Sequence, residues 1–231
     1  MKAILFDCDG TIADSCGTIC TVMRRAFLAE GLPEPDDAAT RAIIGLSLET
    51  AMARLHPDGG LEHHVRLAGA YREAFQAMRR EAEHRETLFP GMRDLVDRLA
   101  TREDALLGMV TGKSRRGVTA ICETHGLTRH FLAVRTADDC PSKPHPAMVE
   151  ECCAELGVAV SDALVVGDSI YDIEMARAAG AHALGVAWGT HEAGPLVAAG
   201  AFAVAGDVSE LEALIADWIG AEVPAAAAVG G

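Results

Sequence analysis

The sequence predicts an α/β fold, a doubly wound parallel sheet with an all-helical cap domain inserted after its first strand. Short apolar runs alternate with helical segments from residue 87 onward, and residues 15–86 show helical periodicity without a strand signal. Strands that alternate with helices are typical of a parallel sheet covered by helices on both faces. We therefore predict an α/β core at residues 1–14 and 87–222, a helical cap at residues 15–86 and a disordered tail at residues 223–231.

Each element is predicted from its local pattern. The apolar run at residues 3–6 carries β-branched and aromatic side chains, which is typical of a buried strand in a parallel sheet. Apolar residues at helical spacing predict cap helices at 15–31, 37–44, 48–55 and 61–86. The same patterns predict core strands at 105–110, 131–135, 163–166, 183–187 and 202–204, with helices at 92–101, 114–125, 145–156, 171–179, 193–199 and 209–219.

Composition and charge narrow the function. The 231 residues are 50% apolar and carry a net charge of −14, which argues against nucleic acid and anionic membrane surfaces as partners. No apolar run reaches the length of a membrane span, and no signal peptide is visible. The seven cysteines are irregularly spaced, so we expect reduced thiols in a cytoplasmic protein and no structural zinc site. The sequence leaves open whether the protein is a monomer or a homodimer.

Two carboxylates, Asp7 and Asp9, follow the first strand with one residue between them. If the chain stays extended through Asp9, both side chains point to the same side, because side chains alternate along a strand. Gly10 then permits a sharp turn directly after them. Asp-Gly is also an ordinary turn signal, so these residues alone are equally typical of a strand that ends in a turn. Open α/β sheets bind their ligands at the carboxyl ends of their strands.

Two further segments carry groups that suit a phosphate. Thr111 and Gly112 end a predicted strand and precede a helix, where a hydroxyl and backbone N–H groups can bind an anion. On these residues alone, a helix cap is the more ordinary explanation. Lys143 precedes the first of two prolines that fix an extended segment before the next helix. It is either a firmly placed positive charge or a solvated loop residue.

A fourth segment places Asp168 at the end of another apolar strand, and Asp172 follows at the start of a helix. Either residue could simply cap that helix, since a carboxylate favours the amino-terminal end of the helix dipole. Together with Asp7 and Asp9, however, they would gather several negative charges at neighbouring strand ends. Such a cluster is costly unless a cation binds to it. Oxygen ligands suit Mg²⁺.

These segments together resemble the motifs of the haloacid dehalogenase superfamily. The runs DCDGT at residues 7–11, VTGK at 110–113, SKPHP at 142–146 and GDSIYD at 167–172 are similar to its four motifs and stand in the same order. The resemblance covers residues 1 to about 221 and implies a Rossmann-like core. It also implies that the helical insertion is the small cap that this superfamily carries between its first and second motifs.

The resemblance implies phosphoryl transfer through an aspartyl-phosphate. Asp7 would be the nucleophile, and Asp9 would protonate the leaving alcohol and then activate water. Thr111, the Gly112 amide and Lys143 would hold the transferring oxygens. Dehalogenases and phosphonate hydrolases of this superfamily lack an acid at the position of Asp9, so the resemblance favours phosphate esters.

The resemblance also implies Mg²⁺ as the cofactor. The Asp7 carboxylate, the Asp9 backbone carbonyl and Asp168 would bind it. Asp172 would either bind the ion directly or support one of its ligands. The bound metal would offset the repulsion between Asp7 and a phosphate dianion.

Residues 142–146 and 167–169, with the run WGTH at 188–191, resemble phosphoglycolate phosphatases and their relatives, including a pyrophosphatase branch. In that group a cap loop enters the site, and the corresponding loop here offers Arg41, Gly45 and Ser47. Arg41 would meet a substrate carboxylate, or it is an exposed helix arginine. The sequence assigns no role to Lys113 or His191.

The expected substrate is therefore a small phosphorylated metabolite, with 2-phosphoglycolate as the first candidate. Pyrophosphate and sugar phosphates remain open alternatives within the same family. A phosphomutase would use the same aspartates but retain the aspartyl-phosphate for a second transfer. A non-enzymatic binding protein on this fold is disfavoured, because each expected catalytic position holds the required residue type.

Overall fold

A computed structural model describes residues 1–81 and 86–221, and a six-stranded parallel sheet lies at its centre. Its strands, with those of a short ribbon, are β1 Lys2–Phe6, β2 Ala13–Asp14, β3 Thr87–Leu88, β4 Ala105–Thr111, β5 Ala133–Thr136, β6 Ala163–Gly167, β7 His182–Val186 and β8 Ala203–Ala205. The order in the sheet is β5-β4-β1-β6-β7-β8, and all neighbouring pairs are parallel. The predicted α/β class is confirmed.

The helices of the described residues are α1 Cys16–Ala29, α2 Asp37–Arg41, α3 Leu48–Leu55, α4 Leu61–Met78, α5 Met92–Ala100, α6 Arg115–His125, α7 Ala147–Leu156, α8 Ile170–Ala179, α9 Ala193–Ala199 and α10 Val208–Gly220. A 3₁₀ turn at Val160–Asp162 precedes β6. Apart from α2 and α4, each predicted helix and sheet strand agrees with these bounds to within two residues at either end. None of the described helices is long and apolar enough to cross a membrane.

Side-chain alternation along β1 supplies two separate cores. Ile4 and Phe6 pack against α5, α6 and α10 on one face of the sheet. Ala3 and Leu5 pack against α7, α8 and α9 on the other face. All four side chains have no exposed surface. A strand buried on both faces requires a continuous apolar run, which is why the sequence shows no polar residue between residues 3 and 6.

Two cap helices are shorter than predicted. The helix predicted at 37–44 ends at Arg41, because the chain continues in turns to Gly45, whose φ of +100° is not helical. The helix predicted at 61–86 ends at Met78. Glu86 instead accepts hydrogen bonds from Arg79 and Lys113, contacts that helical periodicity does not report. Residues 82–85 of that prediction, and the tail predicted at 223–231, lie outside the described residues.

A two-stranded antiparallel ribbon, β2 paired with β3, joins the two ends of the helical insertion. Ala13 lies opposite Leu88, and Asp14 lies opposite Thr87. This ribbon was not predicted from the sequence, because a strand of two residues is too short to show alternating apolar and polar side chains. We propose that it marks the boundary between cap and core, close to the predicted positions 14 and 87.

The cap has its own small core, which also touches the sheet domain. Met23, Phe27, Met52 and Leu67 are buried together with Tyr171 of α8. The Tyr171 hydroxyl donates to the backbone oxygen of Ala42 at 2.8 Å and accepts from Arg54 at 2.6 Å. Tyr171 thus fixes the cap helices above the carboxyl end of the sheet.

Candidate active site

Three neighbouring strands bring the predicted residues to one edge of the sheet. Strand β1 lies between β4 and β6, and all three run in the same direction. Asp7 follows β1, Thr111 ends β4, and Asp168 follows β6. The backbone N–H of Asp7 donates to the backbone oxygen of Val166 at 2.9 Å, which continues the sheet register as far as Asp7. The carboxyl-end placement of these side chains is as the sequence predicted.

Lys143 reaches this edge from the loop before α7. Its Nζ donates to Asp7 Oδ1 at 2.8 Å and to Asp172 Oδ1 at 2.5 Å. The side chain is fully buried, so Lys143 is not a solvated loop residue. The two carboxylates hold the pKa of Lys143 above its usual value, although burial opposes its charge. Lys143 therefore remains a cation between two carboxylates.

Asp7, Asp168 and Asp172 form a buried oxygen cluster. Their nearest ligand atoms lie within 4.8 Å of one another. Burial is the largest cause that raises the pKa of Asp7, and Lys143 only partly opposes it. Burial also raises the pKa of Asp168 to about 6. The buried Asp7 Oδ2 has no hydrogen-bond partner among the described residues. An unpartnered carboxylate oxygen in an all-oxygen cluster fits a hard divalent cation such as Mg²⁺.

Hydrogen bonds fix the orientation of Asp168 and Asp172. Asp168 accepts from the Thr11 hydroxyl at 2.8 Å and from the Thr190 N–H at 2.8 Å. Asp172 Oδ2 accepts from the hydroxyl of Ser169 at 2.6 Å and from its N–H at 3.1 Å. Asp172 is therefore a helix-capping residue, as one interpretation held, and a member of the carboxylate cluster as well.

Asp9 lies outside that cluster and has its own partners. Its Oδ1 accepts from the Ser15 hydroxyl at 2.7 Å and from Lys113 Nζ at 2.8 Å. Lys113 also donates to Glu86 Oε1 at 2.9 Å. Although burial opposes its charge, the carboxylates of Asp9 and Glu86 hold the pKa of Lys113 above its usual value. Lys113 had no role predicted from the sequence. Its position directly after Thr111 and Gly112 nevertheless indicated that it would lie at the carboxyl edge of the sheet.

Thr111 and Gly112 serve different purposes. The α6 helix is capped by Ser114, which accepts from the Gly117 N–H at 3.3 Å, so Thr111 is not its cap. Thr111 is buried, and its hydroxyl accepts from the Lys113 N–H at 3.2 Å. A Cβ at Gly112 would lie 2.5 Å from the carbonyl oxygen of Gly45. The cap loop therefore excludes any side chain at position 112.

The three cap-loop candidates have different surroundings. Gly45 lies against Gly112 and lines the cleft described below. The Ser47 N–H donates to the Ser142 hydroxyl at 2.8 Å, which ties the cap loop to the segment that carries Lys143. Arg41 is exposed at the end of α2 and is not among the described residues that line the cleft. No contact with the cleft supports the predicted role of Arg41 in substrate binding.

His191 lies beside the site without entering the carboxylate cluster. The backbone N–H of His191 donates to the Asp168 backbone oxygen at 3.1 Å. The His191 ring packs edge-on against the Tyr171 ring, with the two ring centroids 6.4 Å apart. The ring atom Nδ1 is buried without a hydrogen-bond partner among the described residues. Burial lowers the pKa of His191, so the ring favours its neutral form.

A cleft of about 430 Å³ lies between the cap and the carboxyl end of the sheet, and Asp7, Asp9 and Thr111 form part of its floor.

Residues 4–186 match the model of the haloacid dehalogenase-like hydrolases. The chain belongs to this family.

Curated relatives and solved structures agree with this assignment. The hydrolase is 31% identical to a phosphoglycolate phosphatase of Chromobacterium violaceum over 202 residues, which cover 85% of this chain and 89% of that protein. It is 30% identical to a phosphoglycolate phosphatase of Rhodospirillum rubrum, with 96% and 92% covered. The crystal structure of a hydrolase from Pseudomonas syringae superimposes with a TM-score of 0.84 at 24% identity, covering 94% of this chain and 99% of that one.

Proposed function

We propose that this hydrolase cleaves a small phosphate monoester through an aspartyl-phosphate formed on Asp7, with Mg²⁺ as its cofactor. The observation that supports this most directly is the state of the Asp7 carboxylate. Lys143 holds Oδ1 at 2.8 Å, while the buried Oδ2 has no partner among the described residues. A carboxylate held in one orientation at the floor of a cleft is suited to nucleophilic attack.

In the first step, an Asp7 oxygen forms a bond to phosphorus and the bond from phosphorus to the ester oxygen breaks. Asp9 gives its proton to the departing alkoxide, so the alcohol leaves neutral. In the second step, Asp9 takes a proton from water, which attacks phosphorus and releases inorganic phosphate from Asp7. Ser15 and Lys113 hold the Asp9 side chain in one orientation through both steps.

Fixed donors would neutralise the charge on the transferring group. Lys143 is the buried cation closest to Asp7, and the Thr111 hydroxyl lies on the neighbouring strand end. Gly112, whose backbone N–H would be a further donor, follows Thr111 directly and also lines the cleft. Donors that are held in place before the reaction stabilise developing charge without a reorganisation cost.

Asp7, Asp168 and the backbone carbonyl of Asp9 would bind Mg²⁺, with Asp172 fixing Lys143 beside them. The carboxylate cluster and the unpartnered Asp7 oxygen support this assignment. When bound, the cation offsets the repulsion between the carboxylates and an incoming phosphate dianion.

The names of the relatives make 2-phosphoglycolate the reference substrate. Because the chain carries a net charge of −14, a small phosphorylated metabolite needs local positive charge, which Lys143 and the proposed Mg²⁺ would supply. A cytoplasmic location belongs to the same proposal, and it is supported by the cysteines, all seven of which are free and buried.

The test is phosphate release from a panel of esters, with Mg²⁺ and with a chelator. The panel would contain 2-phosphoglycolate, pyrophosphate, sugar phosphates, nucleoside monophosphates and simple alkyl phosphates. We expect Mg²⁺-dependent release from at least one monoester. A phosphomutase would instead give an isomer when its bisphosphate activator is added, and a binding protein would bind without turnover.

A further inference from the structure

The walls of the cleft are mainly apolar. Its floor carries Asp7 and Asp9, but the cap side is formed by α1, by the loop after α2, and by α3 and α4. The side chains that face the cleft there include Ile19, Met23, Ile43, Leu46, Leu48 and Phe75. A glycolate leaving group offers only one methylene that such a wall could cover.

The cations in the cleft wall already have carboxylate partners. Arg72 pairs with Glu49 at 2.5 Å, and Arg79 pairs with Glu86 at 2.5 Å. Lys113 is held by Asp9, as described above. Arg116 is the one lining cation without an ion pair to a described residue, and it is exposed on the core side. Unless it paired with Arg116, a substrate carboxylate would therefore have to displace an existing partner.

The cleft is also large for a two-carbon leaving group. Its volume of about 430 Å³ lies within the range of roughly 300–1,000 Å³ that is typical of pockets for much larger ligands. A glycolate leaving group would leave most of that apolar wall in contact with water. Apolar surface of the right shape instead favours a ligand that removes it from water.

We infer that the preferred substrate is a phosphate monoester whose leaving group carries an apolar alkyl or aryl body of several carbons. The phosphate lies at Asp7 and Lys143, and the apolar body lies against the cap wall near Leu48 and Phe75. This inference rests on the proposed phosphatase function and names the substrate class of the same site.

A series of primary n-alkyl phosphates, from ethyl to hexyl, tests the inference. All members have the same reacting bond and similar alcohol leaving groups, so differences in kcat/KM report contact with the apolar body. We expect kcat/KM to rise by about two- to fourfold for each added methylene, the ratio that corresponds to burying most of one such group. Hexyl phosphate should also exceed 2-phosphoglycolate.

Two variants connect the gain to the cap wall. Leu48→Asn places an amide of similar size in the wall and should lower the ratio of hexyl to ethyl phosphate activity by at least tenfold. Leu28→Asn is the matched control, because Leu28 is 56% exposed on α1 and does not line the cleft. It should leave the ratio unchanged. If Leu48→Asn does not fold, the wild-type series alone still decides.

The outcomes separate the two proposals. A flat or falling series, with ethyl phosphate and 2-phosphoglycolate both hydrolysed, would overturn the apolar leaving group and leave the phosphatase function intact. Failure of every monoester to release phosphate with Mg²⁺ present would overturn both.

Discussion

Lys113 Nζ donates a hydrogen bond to Asp9 Oδ1 at 2.8 Å, and both side chains are almost fully buried. Glu86, at the end of the helical insertion, accepts a second hydrogen bond from Lys113 at 2.9 Å and also pairs with Arg79 of the cap. The proposed acid and base is thus held by a lysine that is itself anchored to the segment joining cap and core. We treat Lys113 as a positioning residue for Asp9.

Replacing Lys113 by methionine should lower kcat for an alkyl phosphate by about 10²-fold, because proton transfer by a misplaced Asp9 loses its contribution. The loss should be smaller for p-nitrophenyl phosphate, whose leaving group needs little protonation. Steady-state kinetics on both substrates would measure the difference. An equal loss on both would contradict the positioning role.

Lys2→Met is the matched control for that variant. Lys2 also pairs with a carboxylate, Asp162, at 3.0 Å, but at the opposite end of β1. Its kinetics should be those of the wild type. Lys113→Met should also lower the free energy of unfolding by about 3–5 kcal/mol, because Asp9 would remain buried without its cation, whereas Glu86 would keep its pair with Arg79. Lys2→Met should change it by less than about 1 kcal/mol.

Gly112→Ala should disturb the contact between cap loop and core. The added Cβ would lie 2.5 Å from the Gly45 oxygen and 2.6 Å from that of Leu46, and backbone cannot yield as a flexible side chain can. We expect a loss of about 1–3 kcal/mol in stability and a higher KM. Urea unfolding and steady-state kinetics would measure both.

Gly17→Ala is its control, because nothing lies within 4 Å of a Cβ at that position in α1. The substitution should leave KM unchanged and raise stability by up to about 1 kcal/mol, since alanine is the better helix former. A Gly112→Ala protein with wild-type stability and KM would show that the cap loop does not rest on position 112.

Magnesium should stabilise the folded protein more at about pH 8 than at about pH 5. Burial raises the pKa of Asp7 to about 8 and that of Asp168 to about 6, from the usual 3.8. Because both pKa values are raised in the folded state, the two protonated carboxyl groups stabilise the metal-free fold, and this contribution is complete below the unfolded pKa of 3.8. It is lost as the pH rises through about 6 for Asp168 and about 8 for Asp7. Cation binding needs the charged carboxylates, so it strengthens over the same range.

Thermal unfolding with and without Mg²⁺ measures this linkage. With Mg²⁺ at about 100 times its dissociation constant, binding adds about 2.7 kcal/mol. That corresponds to a rise of roughly 5–10 °C in Tm for a chain of this size. Asp168→Asn should abolish most of the rise. A rise that is the same at both pH values, or that persists in Asp168→Asn, would contradict the metal assignment.

The sheet and its catalytic edge could be predicted because both follow from local patterns. Each strand is a short apolar run, and parallel strands put their carboxyl ends at one edge, so Asp7, Thr111 and Asp168 were expected near one another. The strand order that makes β1 the neighbour of both β4 and β6 is not contained in any local pattern. It was not predicted from the sequence.

The features that sequence reasoning missed depend on tertiary contacts. The helix expected to reach residue 86 ends at Met78, and Glu86 pairs with Arg79 and Lys113 instead. Periodicity reports which face of a helix is apolar, not where a distant lysine will bind. For Arg41 the sequence left open a substrate contact or an exposed helix position, and the structure has it exposed at the end of α2.

The aspartyl-phosphate on Asp7 can be detected directly. The enzyme turns over an ester labelled in its phosphate, the reaction is quenched with acid, and the label that stays on the protein is measured. We predict that the wild type retains label that hydroxylamine releases, as an acyl phosphate does. Asp9→Asn should retain more, because water is no longer activated to remove it. Asp14→Asn, an exposed aspartate in β2, should behave as the wild type.

Asp7→Asn should retain no label and show no turnover. Label retained by Asp7→Asn, or turnover near that of the wild type, would contradict the assignment of Asp7 as the nucleophile.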